Sequence, residues 1–106
     1  MLTGAELLAE LKGWVASRGS DLSAVGLQHE LTESPEDRNP QSIWWILESD
    51  DRLAEIILWS NGHAELQFAE VASGEISAIM RELATEEDVQ DALNSIVEWM
   101  TLPVDG

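Results

Sequence analysis

The side chains that could support catalysis are few and scattered. The chain of 106 residues contains two histidines, His29 and His63, and no cysteine. Nucleophilic catalysis needs a nucleophile, a base and a group that orients the base, and neither histidine stands in such a motif. His63 follows Asn61-Gly62 and is predicted to lie in solvent at a hairpin end. His29 shares a strand face with apolar residues and is predicted to be partly buried and hydrogen-bonded. The residues therefore predict a protein that is not an enzyme.

Two clusters of carboxylates offer the oxygen ligands that a hard cation prefers. They are Asp50-Asp51 and the group Glu86, Glu87, Asp88 and Asp91. Neither has the alternating ligands and central glycine of an EF-hand loop. The first cluster is typical of a tight turn, and the second complements the positive end of a helix dipole. The glycines are isolated and form no phosphate-binding loop. We therefore predict no metal ion and no cofactor.

Net charge is the strongest compositional signal. Twenty-one acidic residues stand against five lysines and arginines, and the formal charge is −16. Nucleic acids and anionic membranes both attract cations, so neither is predicted to be a partner. A basic protein would be attracted and would associate faster at low salt. The alternative is that the acidity only keeps the chain soluble.

No export or membrane segment is predicted. Glu6 and Glu10 interrupt the first apolar stretch, so a signal peptide is not expected. The longest apolar runs, residues 43–47 and 56–59, are too short to span a bilayer. Absence of cysteine fits a reducing cytosol, and the predicted location is cytoplasmic.

Two amphipathic helices are predicted at the ends of the chain. Thr3 and Glu6 form a capping box for a helix over residues 4–17, and Gly19 is predicted to end it. Thr85 is predicted to cap the second helix, and Pro103 lies just beyond its end. Apolar stripes follow helical spacing in both: Leu7, Leu8, Leu11, Trp14 and Val15 in the first, and Val89, Ala92, Leu93, Ile96, Val97 and Met100 in the second.

Five strands are predicted between the helices, over residues 25–32, 42–49, 53–60, 63–71 and 76–83. A helix is the alternative for the last of them. Short connections favour an antiparallel meander of four or five strands, with both helices packed on one face. The predicted fold class is α+β in the order α-β-β-β-β-β-α, and residues 1–106 are predicted to form a single domain.

Loop lengths predict which side chains share a face of the sheet. A two-residue loop at Asn61-Gly62 pairs Ile57 with Leu66 on the helix-covered face. A two-residue loop at Asp50-Asp51 pairs Trp45 with Ile56 on the other face, where apolar side chains rimmed by Glu65 and Gln67 resemble a contact surface. The alternatives are that a loop or a terminus covers that face, or that the register is shifted by one residue and exchanges the faces. The predicted protein-binding residues are Trp44, Trp45, Ile56 and Leu58 as anchors, with Glu65, Asp50 and Asp51 at the rim.

Three segments resemble a known family. They are LLAELKGWVASRG, RLAEIILWSNGHAELQFAEVASGEI and EEDVQDALNSIVEWM. A strand that ends in tryptophan, the turns at Asn-Gly and Ser-Gly-Glu, and a C-terminal helix are similar to small actinobacterial immunity proteins of polymorphic-toxin systems, of the TriTu type. The resemblance implies a bacterial, cytosolic antidote that occludes a cognate toxin, and it assigns no binding residues.

The expected function is therefore that of an acidic inhibitor that blocks a toxin sterically and electrostatically. A second copy of the chain is the other expected occupant of the apolar face. One rival function is a small acidic secretion-type chaperone that grips an extended client segment. Another is a small enzyme or metal-dependent hydrolase, which would need a pocket with convergent polar groups.

Overall fold

A computed structural model describes residues 2–35, 37 and 39–101. Its elements are α1 (Gly4–Ala24), β1 (Gln28–Glu33), β2 (Ser42–Glu48), β3 (Arg52–Trp59), β4 (His63–Glu70), β5 (Ile76–Glu82) and α2 (Glu86–Thr101). The strands form one antiparallel sheet in the order β1-β2-β3-β4-β5. Both helices pack on the same face of this sheet. The predicted α+β fold and element order are confirmed, and β5 is a strand. Pro103 lies outside the described residues.

Helix α1 continues past Gly19, where the sequence predicted its end. Leu22 is buried and extends the apolar stripe, and this burial outweighs the cost of about 1 kcal/mol for a glycine inside a helix. The helix ends at Ala24 with Val25 as its C-cap, and the next residue, Gly26, has the positive φ of 84° that is common just past a helix end. A backbone hydrogen bond of 3.0 Å from Leu27 to the Leu22 carbonyl closes that cap. Val25, predicted to begin the first strand, therefore belongs to the helix end.

The loop between β3 and β4 has three residues, not the predicted two. Gly62 has a φ of 92° and donates its backbone N–H to the carbonyl of the last residue of β3, at 2.9 Å. A two-residue type I′ loop would also need a positive φ at Asn61, which Asn61 does not have. Ile57 consequently pairs with Glu65, where the prediction paired it with Leu66. The predicted register was wrong by one residue, and this exchanges the faces of β3.

The loop between β2 and β3 has the predicted length, and Trp45 pairs with Ile56 as expected. That pair nevertheless lies beneath the helices, because the β3–β4 register puts Ile56 beside the buried Leu66. Trp45, Ile56 and Leu58 have no exposed surface. The prediction that they stand on a helix-free face was therefore wrong.

The core joins the sheet to both helices. Trp14 of α1 meets Trp45 edge-on, with ring centroids 5.7 Å apart, and the Trp45 indole N–H donates to Nδ1 of His29 at 3.2 Å. At the far end of the sheet, Arg52 lies 5.2 Å from the Trp99 ring and donates to its backbone carbonyl at 2.7 Å. That carbonyl is in the last turn of α2, where the helix dipole favours a cation. Trp14 is in the core and His29 is half-buried with a partner, as predicted.

Candidate protein-binding face

The sheet face opposite the helices carries large apolar side chains. We call it the outer face. One row across it runs from Trp44 to Ile57, Glu65 and Met80, in strands β2 to β5. Trp44 is 42% exposed and Met80 is 58% exposed. Half-buried members of the outer face are Ile46, Leu53, Ile57 and Trp59.

Sequence reasoning missed most of these residues because both faces of β3 are apolar. Burial alternates along the whole strand, from the buried Arg52 to the half-buried Trp59. Period-two alternation of polarity identifies a face only when the other face is polar. The length of the β3–β4 loop was the one signal that could have separated Ile57 from Ile56.

Carboxylates on the outer face are held in place by neighbouring donors. Glu55 accepts a hydrogen bond from the Trp44 indole N–H at 3.0 Å. Glu65 accepts one from the Gln67 side-chain amide at 3.1 Å. Each donor is neutral, so it orients its carboxylate without placing a cation beside it. The apolar side chains are thus interleaved with oriented negative charges.

Cations are absent from the outer face among the residues that the structure describes. The described cations are Lys12, Arg18, Arg52 and Arg81. The first two belong to α1, where Lys12 pairs with Glu33 and Arg18 covers the Trp14 ring. Arg52 packs on α2, and Arg81 shares the helix-side row of the buried Ala64. All four described cations therefore lie on the helix side of the sheet, whereas carboxylates lie on both sides.

The two histidines do not share a site. His29 is in β1 and His63 is in β4, with two strands between them. His63 is half-buried instead of free in solvent, since Nδ1 lies 2.9 Å from Oε1 of Glu82 and the ring centroid lies 5.4 Å from that of Trp59. Within the described part of the chain, no three His, Asp or Glu side chains come together as a metal site. In the same part, neither helix is long and apolar enough to cross a membrane.

The predicted binding residues divide into two sets. Trp44 and Glu65 lie on the outer face, and Asp50 and Asp51 form an exposed turn at one end of it. The Asp51 carbonyl also accepts a backbone hydrogen bond of 2.9 Å from Val71, which joins this turn to the β4–β5 turn. The other three predicted anchors are the core residues of β2 and β3 described above.

A protein-family model described as "Immunity protein TriTu" matches residues 9–99 of the chain. The matched residues include all five strands and most of both helices. This match confirms the resemblance that the sequence segments indicated. Searches of curated proteins and of solved structures found no match.

Proposed function

We propose that this chain, which belongs to the TriTu family of immunity proteins, neutralises a toxin by binding it through the outer face. The composition of that face carries the proposal, since it combines aromatic and aliphatic side chains with carboxylates and includes no described cation. Tryptophan is enriched at binding hot spots, and an acidic surface attracts a basic partner. The proposed mechanism is steric occlusion, without a chemical step by this chain.

Trp44 is the proposed central anchor. Its indole N–H is already bound to Glu55, so the exposed ring is left for apolar contact with the partner. Ile57 and Met80 continue the apolar row on the same face. Glu65 stands within that row, where it would meet a cationic side chain of the partner.

The proposed partner is a toxin domain with a basic active site. Carboxylates can occupy sites that phosphate oxygens would otherwise take. Glu65, which accepts a hydrogen bond from Gln67, and the exposed Asp50 and Asp51 offer such groups. The proposed place of action is the cytoplasm, where an incoming toxin has to be blocked.

A second copy of the chain fits the outer face less well than a toxin does. Each copy has a formal charge of −16. Two outer faces brought together would place Glu55 and Glu65 against like charges, and such contacts cost affinity.

The neighbouring reading frame provides the first test. A large secreted protein with a variable C-terminal domain, encoded immediately upstream, supports the proposal and supplies the probe. Expression of that domain alone should stop bacterial growth. Co-expression of the wild-type chain with the domain should restore growth. A chain that neither binds the domain nor restores growth would refute the toxin-neutralising function.

Variants on the outer face test the location of the site. Trp44→Ala and Glu65→Lys should each weaken binding of the folded toxin domain by about 2 kcal/mol, as hot-spot substitutions do. Glu98→Lys changes the charge equally at an exposed position of α2 and should bind normally. Wild-type affinity in both outer-face variants would place the interface elsewhere. Binding of only an unfolded segment of the toxin would identify a chaperone instead.

A further inference from the structure

Strand β5 forms an edge of the sheet and leaves apolar side chains in solvent. Ile76 is 73% exposed and Met80 is 58% exposed on the outer side, and Ile79 is 49% exposed on the helix side. Residues 76–80 carry no charge, although 25% of the chain is charged. Edge strands are usually protected by charged residues or proline. The run 76–80 of this edge lacks both kinds of protection, and charged residues begin only at Arg81 and Glu82. Its exposed apolar side chains favour pairing with another strand.

The backbone of β5 determines which residues are free to pair. Glu75 and Leu83 make backbone hydrogen bonds towards β4, at 2.9 and 2.8 Å. Alternate residues of an antiparallel strand direct their N–H and C=O groups to opposite sides. The groups of Ile76, Ala78 and Met80 therefore point away from β4, and no other strand of the described chain lies beyond them.

We propose that two copies of the chain pair antiparallel through β5, about a two-fold axis at Ala78. This register opposes Ile76 to Met80 of the partner subunit, and Ala78 to Ala78 of the partner subunit. Both pairs join residues with outward-directed backbone groups, so each becomes a hydrogen-bonded pair. The two sheets thereby become one continuous sheet.

Charge complementarity selects this register from its neighbours. With the axis at Ala78, Glu75 stands opposite Arg81 of the partner subunit, and the symmetry produces this acid–cation pair twice. Moving the axis to Ile79 would place Arg81 opposite Ser77 of the partner subunit. Moving the axis to Ser77 would place Glu75 opposite Ile79 of the partner subunit. Among these three registers, only the axis at Ala78 pairs opposite charges.

The overall charge does not favour association of two copies, since each carries −16. The central run of the β5 edge, residues 76–80, adds no charge to that repulsion, and Arg81 at its end is a cation. Pairing there leaves Trp44, Ile57 and Glu65 of the outer-face row accessible on both copies, and only Met80 of that row stands beside the partner subunit's Ile76. The proposed dimer is thus compatible with the proposed toxin-binding face and does not depend on it.

Sedimentation velocity over a concentration series tests the proposal. The wild-type chain should dimerise, and Glu75→Arg should weaken the dimer about tenfold because two ion pairs become two like-charge contacts. Arg81→Glu should weaken it similarly, and the double exchange of both residues should restore it to near the wild-type value. Glu30→Arg, an equal charge change on the opposite edge strand β1, is the matched control and should dimerise normally.

The thermal midpoint of each variant checks its folding. This matters most for Arg81→Glu, since the positive charge of Arg81 is one of the smaller causes that lower the pKa of Asp88 at the start of α2. Ala78→Pro provides an independent variant: its lost N–H points away from β4, so the ladder within the chain keeps its bonds. It should be monomeric and folded. A wild-type chain that remains monomeric up to about 1 mM, or a folded double exchange that fails to recover, would overturn the proposal.

Discussion

Ile56 and Ile57 are adjacent in β3, yet Ile56 lies in the core and Ile57 on the outer face. Ile56→Ala should lower the free energy of unfolding by about 2–5 kcal/mol because it leaves a cavity. Ile57→Ala removes side-chain surface that is already partly in water, so it should cost about 1 kcal/mol. Urea unfolding measures both losses. A larger loss for Ile57→Ala would show that the faces are assigned the wrong way round.

Trp14 contributes to the core from the helix side, where it contacts Trp45 edge-on and lies beneath Arg18. Trp14→Ala should therefore cost about 3–5 kcal/mol of unfolding free energy. Trp44→Ala removes the same side chain from the outer face, and its smaller cost is the control. A loss below about 1 kcal/mol for Trp14→Ala would mean that the ring faces solvent or a partner.

Burial could be predicted from sequence where the two faces of an element differ in polarity. Strand β1 alternates clearly, and His29 and Leu31 do face inward as predicted. In β3 both faces are apolar, so Ile56 and Ile57 look equally suited to the core. Tertiary pairing decides between them, and the sequence of β3 alone does not contain that information.

At the scale of elements, the sequence predicted where the turns lie but not the length of each loop. Asp50-Asp51 forms the predicted two-residue loop, whereas Asn61-Gly62 belongs to a three-residue loop in which only Gly62 has a positive φ. Asn-Gly predicts a hairpin reliably, but it does not fix the loop length. The sequence also predicted that α1 ends at Gly19. The helix instead continues until Leu22 is buried, and Gly26 is the glycine that follows its end.

Both helices begin with a reciprocal cap. In α1 the Thr3 hydroxyl accepts from the Glu6 backbone at 3.2 Å, and the Glu6 carboxylate accepts from the Thr3 backbone at 3.0 Å. In α2 the Asp88 carboxylate accepts from the backbones of Ala84 and Thr85, at 2.9 and 3.1 Å. The backbone N–H donors favour the ionised form of each carboxylate, so we expect both helix starts to weaken in acid.

The cap of α2 predicts a pH-dependent contribution to stability. The backbone N–H of Ala84, followed by that of Thr85, lowers the pKa of Asp88 from its ordinary value of 3.8. A carboxyl with a lowered folded-state pKa stabilises the fold above its unfolded-state pKa, and this contribution is lost as the pH falls through the folded-state pKa. Asp88→Asn should therefore be less stable than wild type at neutral pH, and the difference should shrink below about pH 4.

Thermal midpoints of wild type and Asp88→Asn across this pH range measure the effect. Asp91→Asn is the control, since it removes the same charge from an exposed position of the same helix. A wild-type minus Asp88→Asn difference that stays constant down to about pH 2 would contradict the prediction.

At the scale of the whole molecule, the formal charge is −16, and the described cations lie on the helix side of the sheet. We expect the electrostatic field of these charges to steer a basic partner towards the outer face, which carries no described cation. The association rate should fall as ionic strength rises from about 0.01 to about 0.15 M, where the screening length shortens from about 30 to about 8 Å. The dissociation rate should change less, since it depends on short-range contacts.

Stopped-flow mixing with the toxin domain measures both rates. Glu65→Lys adds positive charge to the outer face and should flatten the salt dependence, whereas Glu98→Lys on α2 should flatten it less. An association rate that is independent of salt would reduce the acidity of the chain to a contribution to solubility.

The alternation of faces in β2 and β3 also separates two kinds of evolutionary constraint. Trp44, Ile57 and Glu65 belong to the proposed binding surface, whereas Trp45 and Ile56 lie on the opposite, buried face, so we expect substitutions at the former to change binding more than core packing. A lineage can therefore exchange recognition residues one at a time while the fold stays above its stability threshold. We expect the outer-face residues to change as the toxin changes, while the core residues and the fold stay the same.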